Sequence, residues 1–290
     1  MTVCVATMSN GGGIYCAADR MLTRGITQTE PASPKIYHFA GPLKTVVMWS
    51  GSSTTFGEVI QTALLRAEKT KYSTIKEYVD LYCNCFSAMQ GERAERAILT
   101  PLGLTRASLV SSKVSNDRAR DLVDMITTFA LPDEACVSVI IAGFDADGPH
   151  IWAVHNNVPY CHDVEGFAAV GSGADHADSQ LRFAGFTRRS VPSAALILAF
   201  LAKKRAEIAP GVGRATDMSI MAPTAPPFSV PAEWIARLEK EYEDFARSEK
   251  TALNTAIDQG MTVLQTIVAS MAPAPTQEAV SQPPSAVSQD

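Results

Sequence analysis

Thr2 is the residue whose type and position could supply a nucleophile. It follows Met1 directly and opens a predicted strand over residues 2–7. If Met1 is removed, Thr2 carries both a hydroxyl and a free α-amine. A hydroxyl is a weak nucleophile until a neighbouring base takes its proton, and an α-amine with an ordinary pKa of about 7.7–8.0 can do so near neutral pH. Position alone does not distinguish Thr2 from any second residue, so the hypothesis requires partners elsewhere in the chain.

Asp19 and Lys35 are the candidate partners. Asp19 ends the second predicted strand, and Lys35 follows it by 16 residues, just before the third. We expect both at equivalent ends of neighbouring strands. An ammonium beside the Thr2 hydroxyl would stabilise its alkoxide and keep the amine neutral by like-charge repulsion, while Asp19 would hold that ammonium in place. The alternative is a surface ion pair, which contributes little to stability.

The order of predicted elements indicates how these residues are positioned. Short apolar strands are predicted at 3–7, 14–18, 36–40 and 45–50, with turns at Gly11-Gly12-Gly13 and Gly41-Pro42. Later strands are predicted at 136–144, 150–155, 166–170 and 217–221, and helices at 54–69, 74–89, 117–129, 176–185 and 192–208. This order differs from the regular alternation of a doubly wound sheet. It predicts an α+β fold in which antiparallel sheets stack and helices lie outside them.

Composition narrows the function classes. The 290 residues carry a net charge of −5 with no basic stripe, which argues against a nucleic-acid partner. The chain shows no apolar run long enough to span a bilayer, so we expect no membrane partner and a cytoplasmic location. All six cysteines but Cys161 fall in apolar segments, which fits buried thiols in a reducing compartment. Cys83 and Cys85 lack a second pair at zinc spacing, so no metal and no cofactor are expected.

The chain is predicted to divide into three regions. Residues 2–230 form the catalytic domain, with 92–135 as an insertion within it. A helical extension follows at 231–271, whose apolar face either packs on its own domain or binds a partner. That face comprises Leu253, Ile257, Leu264, Val268 and Met271. Residues 272–290 are rich in Pro, Ala, Ser and Gln and are predicted to be disordered.

Several blocks, in order, resemble the proteasome β-type peptidases of the N-terminal nucleophile hydrolase superfamily, as a divergent bacterial-type branch. Thr2 is similar to the family's nucleophile, and Asp19 and Lys35 to its acid and its base-supporting lysine. The resemblance covers roughly residues 2–222. Its further blocks are Ser33-Pro34-Lys35-Ile36-Tyr37, Gly171-Ser172-Gly173, 202–205 and 216–220.

The resemblance implies a four-layer αββα sandwich of two antiparallel sheets flanked by helices, followed here by the C-terminal helical extension. It also implies roles for further residues. Ser172 would bond the Thr2 amine, and Gly51 would bind the oxyanion through its backbone N–H. Glu207 stands where the family has an aspartate of the amine network, and Pro210 where it has a serine.

The function that the resemblance implies is threonine-type endopeptidase activity through an acyl-enzyme. The substrate would be a peptide or an unfolded protein, hydrolysed in a homo-oligomeric ring or stacked assembly that a separate ATPase could feed. Two alternatives stay open. One is an N-terminal nucleophile amidase acting on a small amide, because the chemistry is identical and only the pocket differs. The other is a catalytically silent scaffold subunit.

Overall fold

The fold rests on two five-stranded antiparallel sheets. The computed structural model describes residues 2–24, 27–30, 34–39, 43–110, 116–130 and 136–271. The first sheet has the order β10-β1-β2-β11-β12, the second has the order β5-β6-β7-β8-β9, and β3 pairs with β4 alone. The strands are β1 (Cys4–Met8), β2 (Ile14–Asp19), β3 (Leu22–Arg24), β4 (Thr27–Thr29), β5 (Ile36–Phe39), β6 (Thr45–Gly51), β7 (Val137–Asp145), β8 (Gly148–His155), β9 (Val158–Cys161), β10 (Phe167–Val170), β11 (Thr216–Met221) and β12 (Phe228–Ser229).

Seven α-helices are present in the described part of the chain. Two start where the sequence places a capping residue: the Ser52 hydroxyl accepts from Thr55 N, and Thr74 forms a capping box with Glu77. A π-helical turn (Glu95–Leu99) and a 3₁₀ turn (Thr100–Leu102) follow the second helix. The helices are α1 (Ser53–Ala67), α2 (Ile75–Ala94), α3 (Arg106–Val110), α4 (Asn116–Ala130), α5 (Ala174–Phe183), α6 (Pro192–Ala206) and α7 (Ala232–Met271).

The main core lies between the two sheets. Alternate residues of a strand point to opposite faces, and in β1 the residues Cys4, Ala6 and Met8 point to the facing sheet. Val46 and Met48 of β6 meet them from the other side. Both sheets are covered on their outer faces as well, which is why β1, β2 and β6 are apolar on both faces.

The helices form the two outer layers. Val47 and Trp49 of β6 point away from the first sheet and pack against α1 and α2 through residues such as Phe56 and Val79. On the other side α5 and α6 lie against β1 and β2, and the Thr7 hydroxyl of β1 donates to the carbonyl of Ala195 in α6 at 2.9 Å. The predicted αββα sandwich and its C-terminal helix are confirmed.

Some elements differ from those that the sequence predicts. β1 begins at Cys4, so Thr2 lies two residues before the strand that it was expected to open. Strands β3, β4, β9 and β12 have between two and four residues, too short for an alternating apolar pattern. The predicted Gly41-Pro42 turn and the tail 272–290 lie outside the described residues.

The chain separates into two compact units, Met1–Leu238 and Glu239–Asp290. Within the second unit, α7 exposes a row of apolar side chains that includes Leu253, Ile257, Met261 and Leu264. The domain limits at 230 and 271, and the insertion at 92–135, stay predictions.

Candidate active site

The Thr2 hydroxyl is held between the carboxylate of Asp19 and the ammonium of Lys35. Thr2 lies just before β1 and is buried, with 2% of its surface exposed. Its Oγ1 donates to Asp19 Oδ1 and accepts from Lys35 Nζ. The structure therefore brings together the three residues that the sequence selected from positions far apart in the chain.

Asp19 is a buried carboxylate surrounded by donors. It ends β2, where its Oδ1 accepts from Val3 N at 3.0 Å and from Lys35 Nζ at 2.9 Å. Its Oδ2 accepts from Met21 N at 3.0 Å and from Gly213 N at 2.8 Å. An ionised carboxyl group can be buried only when it is paired and hydrogen-bonded. Both conditions are met here, so the side chain is fixed in orientation as well as charge.

Lys35 reaches the site from the second sheet. It lies just before β5 and is 1% exposed, and its Nζ also donates to the carbonyl of Met21 at 2.5 Å. An ammonium has three N–H donors, and all three have acceptors. The prediction that Asp19 and Lys35 lie on neighbouring strands is therefore wrong in one respect. β2 and β5 belong to different sheets, and the ion pair forms across the layer between them.

The backbone nitrogen of Thr2 faces the loop that joins β10 to α5. Thr2 N donates to Ser172 Oγ at 3.2 Å, and Gly173 N donates to the Thr2 carbonyl at 3.3 Å. Gly171 has φ +103°, and a Cβ there would collide with the Thr2 carbonyl oxygen. The Gly-Ser-Gly motif thus allows the loop to approach Thr2 closely enough to bond both its nitrogen and its carbonyl.

Gly51 ends β6 with φ +102°, and a Cβ there would collide with the carbonyl oxygen of Cys136. The end of β6 lies close to the loop that joins β10 to α5. A Cβ on Gly171 of that loop would come within 2.8 Å of Ser50 Oγ in β6. Gly51 therefore lies on a strand end that borders the site.

Glu207 has a different environment from the one that the sequence suggests. It caps the C-terminus of α6, and its Oε1 forms ion pairs of 2.7 Å with both Lys203 and Lys204. Its polar contacts within the described residues go to these lysines rather than to the Thr2 nitrogen. Glu207 is one residue past the end of a helix whose last turn is basic, so it pairs with those cations locally.

Sequence reasoning missed Lys203, which is completely buried. Burial lowers the pKa of Lys203, while Glu207 and, at longer range, Asp19 oppose that shift. The signal available in the sequence was its i,i+4 spacing to Glu207 on a predicted helix.

Cys4 is the buried thiol nearest to Thr2 in the chain. Its Sγ donates to the carbonyl of Trp49 at 3.2 Å. Burial raises the pKa of the Cys4 thiol well above its usual value, although the nearby Lys35 opposes that shift. A thiol reacts as its thiolate, so Cys4 is not a competing nucleophile.

An apolar cavity of about 350 Å³ opens between β5, β6 and α1. Its lining includes Leu22, which follows Met21 in the chain, and Tyr37, two residues after Lys35. Trp49 stacks on Phe56 in its wall, with ring centroids 5.0 Å apart. The remaining lining residues are His38, Phe39, Ser53, Gly57, Ile60, Gln61 and Leu64.

Two kinds of feature are absent from the described ranges. No group of three or more His, Cys, Asp or Glu side chains there could hold a metal ion. No helix in the same ranges is both long and apolar enough to cross a membrane.

Comparison with solved structures identifies the fold. Anbu (ancestral beta-subunit) from Yersinia bercovieri superposes with a TM-score of 0.60 at 13% identity, over 85% of this chain and 95% of that one. An Anbu (Gly-1) mutant from Hyphomicrobium sp. strain MC1 superposes with a TM-score of 0.60 at 13% identity, over 88% of this chain and 100% of that one. The chain shares the Anbu fold. No protein-family model and no curated protein sequence matches it.

This likeness corrects the family suggested by the sequence. The chain was compared there with the proteasome β-type peptidases, whereas the solved structures that it resembles are Anbu proteins. The sequence blocks behind that comparison lie before β1, at the end of β2, beside the start of β5, in the loop between β10 and α5, within α6 and in β11. At 13% identity the likeness shows the fold that this chain shares with the Anbu structures.

Proposed function

We propose that this protein is a hydrolase that cleaves peptide bonds with Thr2 as its nucleophile. The observation that carries the proposal is the position of the Thr2 hydroxyl, buried between Asp19 and Lys35. A hydroxyl in such a place is polarised by the cation and oriented by the carboxylate. The proposal requires that Met1 be removed, since only then does Thr2 carry an amine.

The first half of the reaction forms an ester. The Thr2 amine, oriented by Ser172, takes the proton of the Thr2 hydroxyl, and Oγ1 forms a bond to the carbonyl carbon. Lys35 stabilises the developing alkoxide, and the backbone N–H of Gly51 donates to the oxyanion. The C–N bond then breaks, the leaving amine takes the proton from the Thr2 ammonium, and an acyl-enzyme remains.

The second half returns the enzyme. Water gives a proton to the Thr2 amine and adds to the ester carbonyl, and the oxyanion again lies at Gly51. The C–Oγ1 bond breaks, and Oγ1 takes back a proton from the Thr2 ammonium. The three N–H donors of Lys35 remain bonded to Asp19, Thr2 and the carbonyl of Met21. Lys35 acts on the nucleophile through electrostatics.

The cavity supports a preference for peptides with a large apolar side chain beside the cleaved bond. Its volume of about 350 Å³ accommodates an aromatic or long aliphatic side chain. A buried apolar side chain gains roughly 1.5–3 kcal/mol from such a site. Tyr37 and Trp49 line the cavity, and these two residues connect it to the strands that bear Lys35 and Gly51.

A homo-oligomer in the cytoplasm fits the same proposal. The Yersinia bercovieri protein of this fold is an ancestral beta-subunit, and the exposed apolar row of α7 suits a contact between copies. Enclosing the site in a ring or stack would keep it from folded proteins, and an ATPase could then supply unfolded ones. Free buried cysteines, such as Cys4 and Cys16, suit a reducing compartment.

Intact mass and peptide hydrolysis test the function. We expect the purified protein to begin at Thr2 and to release fluorophore from peptides with an apolar residue at the cleaved bond. Thr2→Ala should lose on the order of 10³-fold or more in kcat, while Thr2→Ser, which keeps a hydroxyl, should retain measurable turnover. Retention of Met1, or full activity of Thr2→Ala, would refute the proposal. Hydrolysis of small amides alone would point to an amidase.

A further inference from the structure

Three charged side chains are almost completely buried in the described part of the chain. They are Asp19 and Lys203, both 0% exposed, and Lys35 at 1%. Asp19 and Lys35 contact the Thr2 hydroxyl, whereas Lys203 belongs to α6 and is not part of the proposed chemistry. Burying a lysine costs several kcal/mol even when it is paired, so the contacts of Lys203 are informative.

Lys203 joins the end of α6 to the segment before β11. Its Nζ donates to Glu207 Oε1 at 2.7 Å and to the backbone carbonyl of Arg214 at 2.9 Å. The first contact neutralises the buried charge within its own helix. The second ties that helix to the Arg214 carbonyl, which also accepts from Thr216 Oγ1 at 3.4 Å, next to Ala215 N, which donates to Glu30 Oε1 at 3.3 Å.

The tied loop reaches the proposed catalytic acid. Gly213, directly before Arg214, donates its N–H to Asp19 Oδ2 at 2.8 Å. The backbone of Gly213 lies tightly against Met21, because an added Cβ would come within 2.9 Å of Met21 Cβ. One two-residue segment therefore bonds Asp19 at one end and Lys203 at the other.

We infer that Lys203 is a positioning residue, which orients Asp19 toward the Thr2 hydroxyl by holding the Arg214 carbonyl and, with it, the Gly213 N–H. This inference rests on the proposed function of Thr2. Without the tether, that is, the bond from Lys203 to Arg214, the backbone at Gly213 becomes more mobile. The hydrogen bond from Gly213 N to Asp19 Oδ2 then no longer has a fixed geometry. Asp19 Oδ1 then loses the fixed direction in which it accepts from Thr2. Misplacement of a catalytic group by about 1 Å can cost about 10²-fold in rate.

Lys203→Met tests the inference, since methionine fills a similar volume without charge or donors. We expect kcat to fall by about 10- to 100-fold, as for other lost supporting contacts. KM should change by less than about threefold, because the apolar cavity that binds substrate is lined by other elements. Amide exchange at Gly213, followed by NMR, should accelerate by about tenfold or more.

Lys204→Met is the matched control. Lys204 pairs with the same Glu207 oxygen at 2.7 Å but is 11% exposed. Its loss removes the same charge from the same carboxylate but leaves the bond from Lys203 to the Arg214 carbonyl in place. We therefore expect kcat and Gly213 exchange to stay within about twofold of the wild type. Equal effects of the two variants would overturn the inference, as would a folded Lys203→Met with normal kcat and normal Gly213 exchange.

Two further outcomes separate the inference from the proposed function. If Thr2→Ala is fully active, the proposed function fails, and the exchange rate at Gly213 still decides whether Lys203 holds the loop. If Lys203→Met does not fold, Glu207→Gln weakens the same tether while leaving the lysine donors in place. We then expect a severalfold loss in kcat with KM unchanged, and an unchanged kcat in that folded variant would overturn the inference.

Discussion

Replacing the Asp19 carboxylate by an amide should destabilise the fold more than removing its cationic partner. In Asp19→Asn one side-chain atom becomes an NH₂ group. Donors already surround both oxygens: Val3 N and Lys35 Nζ face Oδ1, and Met21 N and Gly213 N face Oδ2. Thr2 Oγ1 donates to Oδ1 as well, so whichever way the amide turns, its NH₂ group opposes at least two donors. Lys35 is then left buried without a counter-charge.

The expected cost of Asp19→Asn is about 3–5 kcal/mol of unfolding free energy, the range for breaking a buried ion pair from one side. Lys35→Met should cost less, because Asp19 then keeps its backbone donors from Val3, Met21 and Gly213. Urea unfolding followed by far-UV circular dichroism measures both changes through the midpoint and slope of the transition.

Glu58→Gln provides the control for this comparison. It makes the same carboxyl-to-amide change in an exposed pair, where Glu58 and Arg93 are 51% and 38% exposed, and should cost no more than about 1 kcal/mol. A loss for Asp19→Asn below about 1 kcal/mol, or a larger loss for Lys35→Met, would show that donor crowding around the carboxylate is not what fixes this site.

Four other predictions follow from the described contacts. Gly171→Ala should lower the free energy of unfolding by about 1–3 kcal/mol or more, measured by thermal unfolding, and should abolish activity. Gly185→Ala is the control, because Gly185 is also at positive φ but has open space around it. It should lower the free energy of unfolding by about 1 kcal/mol and leave activity intact. Trp49→Ala, by enlarging the cavity, should raise KM for peptides with small apolar side chains, measured by steady-state kinetics. His150 should stabilise the fold below pH 6.5 and lose that contribution as pH rises, so His150→Gln should lower the melting temperature more at pH 5 than at pH 8. Leu264→Glu should reduce the molar mass measured by light scattering, because it places a charge in the exposed apolar row of α7. An unchanged mass would show that α7 does not form the contact between copies.

The sign of the His150 prediction comes from its two carboxylate neighbours. Burial alone would lower the pKa of His150, but Asp163 at 2.6 Å and Asp145 at 2.9 Å raise it above its usual value. A raised pKa in the folded state means that the folded protein binds the proton more tightly. The stability that this proton contributes is fully present below the pKa that His150 has in the unfolded chain. It is lost as the pH rises through the higher pKa of the folded protein.

The sequence predicts the layered fold because periodicity is strong in the buried strands and in the capped helices α1 and α2. It places Thr2, Asp19 and Lys35 as partners because each lies at or beside a strand end. It does not predict that Asp19 and Lys35 come from different sheets, since strand order along the chain does not specify which sheet a strand joins. That choice depends on tertiary packing.

Glu207 and Lys203 illustrate the second limit. Motif position assigned Glu207 to the Thr2 amine, but a carboxylate that follows a basic helical turn pairs first with the nearest cations, here Lys203 and Lys204. Burial of Lys203 could not be read from Ala202-Lys203-Lys204-Arg205, because a basic run usually lies in solvent. The sequence did not predict the likeness to the Anbu structures either, since motifs at strand ends indicate only the layered fold.

The bond from Gly213 to Asp19 spans 194 residues of sequence. During synthesis, therefore, the carboxylate that orients Thr2 lacks one of its donors until residue 213 has left the ribosome and β11 has paired with β2. A chain shorter than that carries Thr2, Asp19 and Lys35 but not the support that aligns them. Under the proposed function, the aligned site would therefore form only after β11 has been synthesised, and the order of synthesis would delay the onset of cleavage.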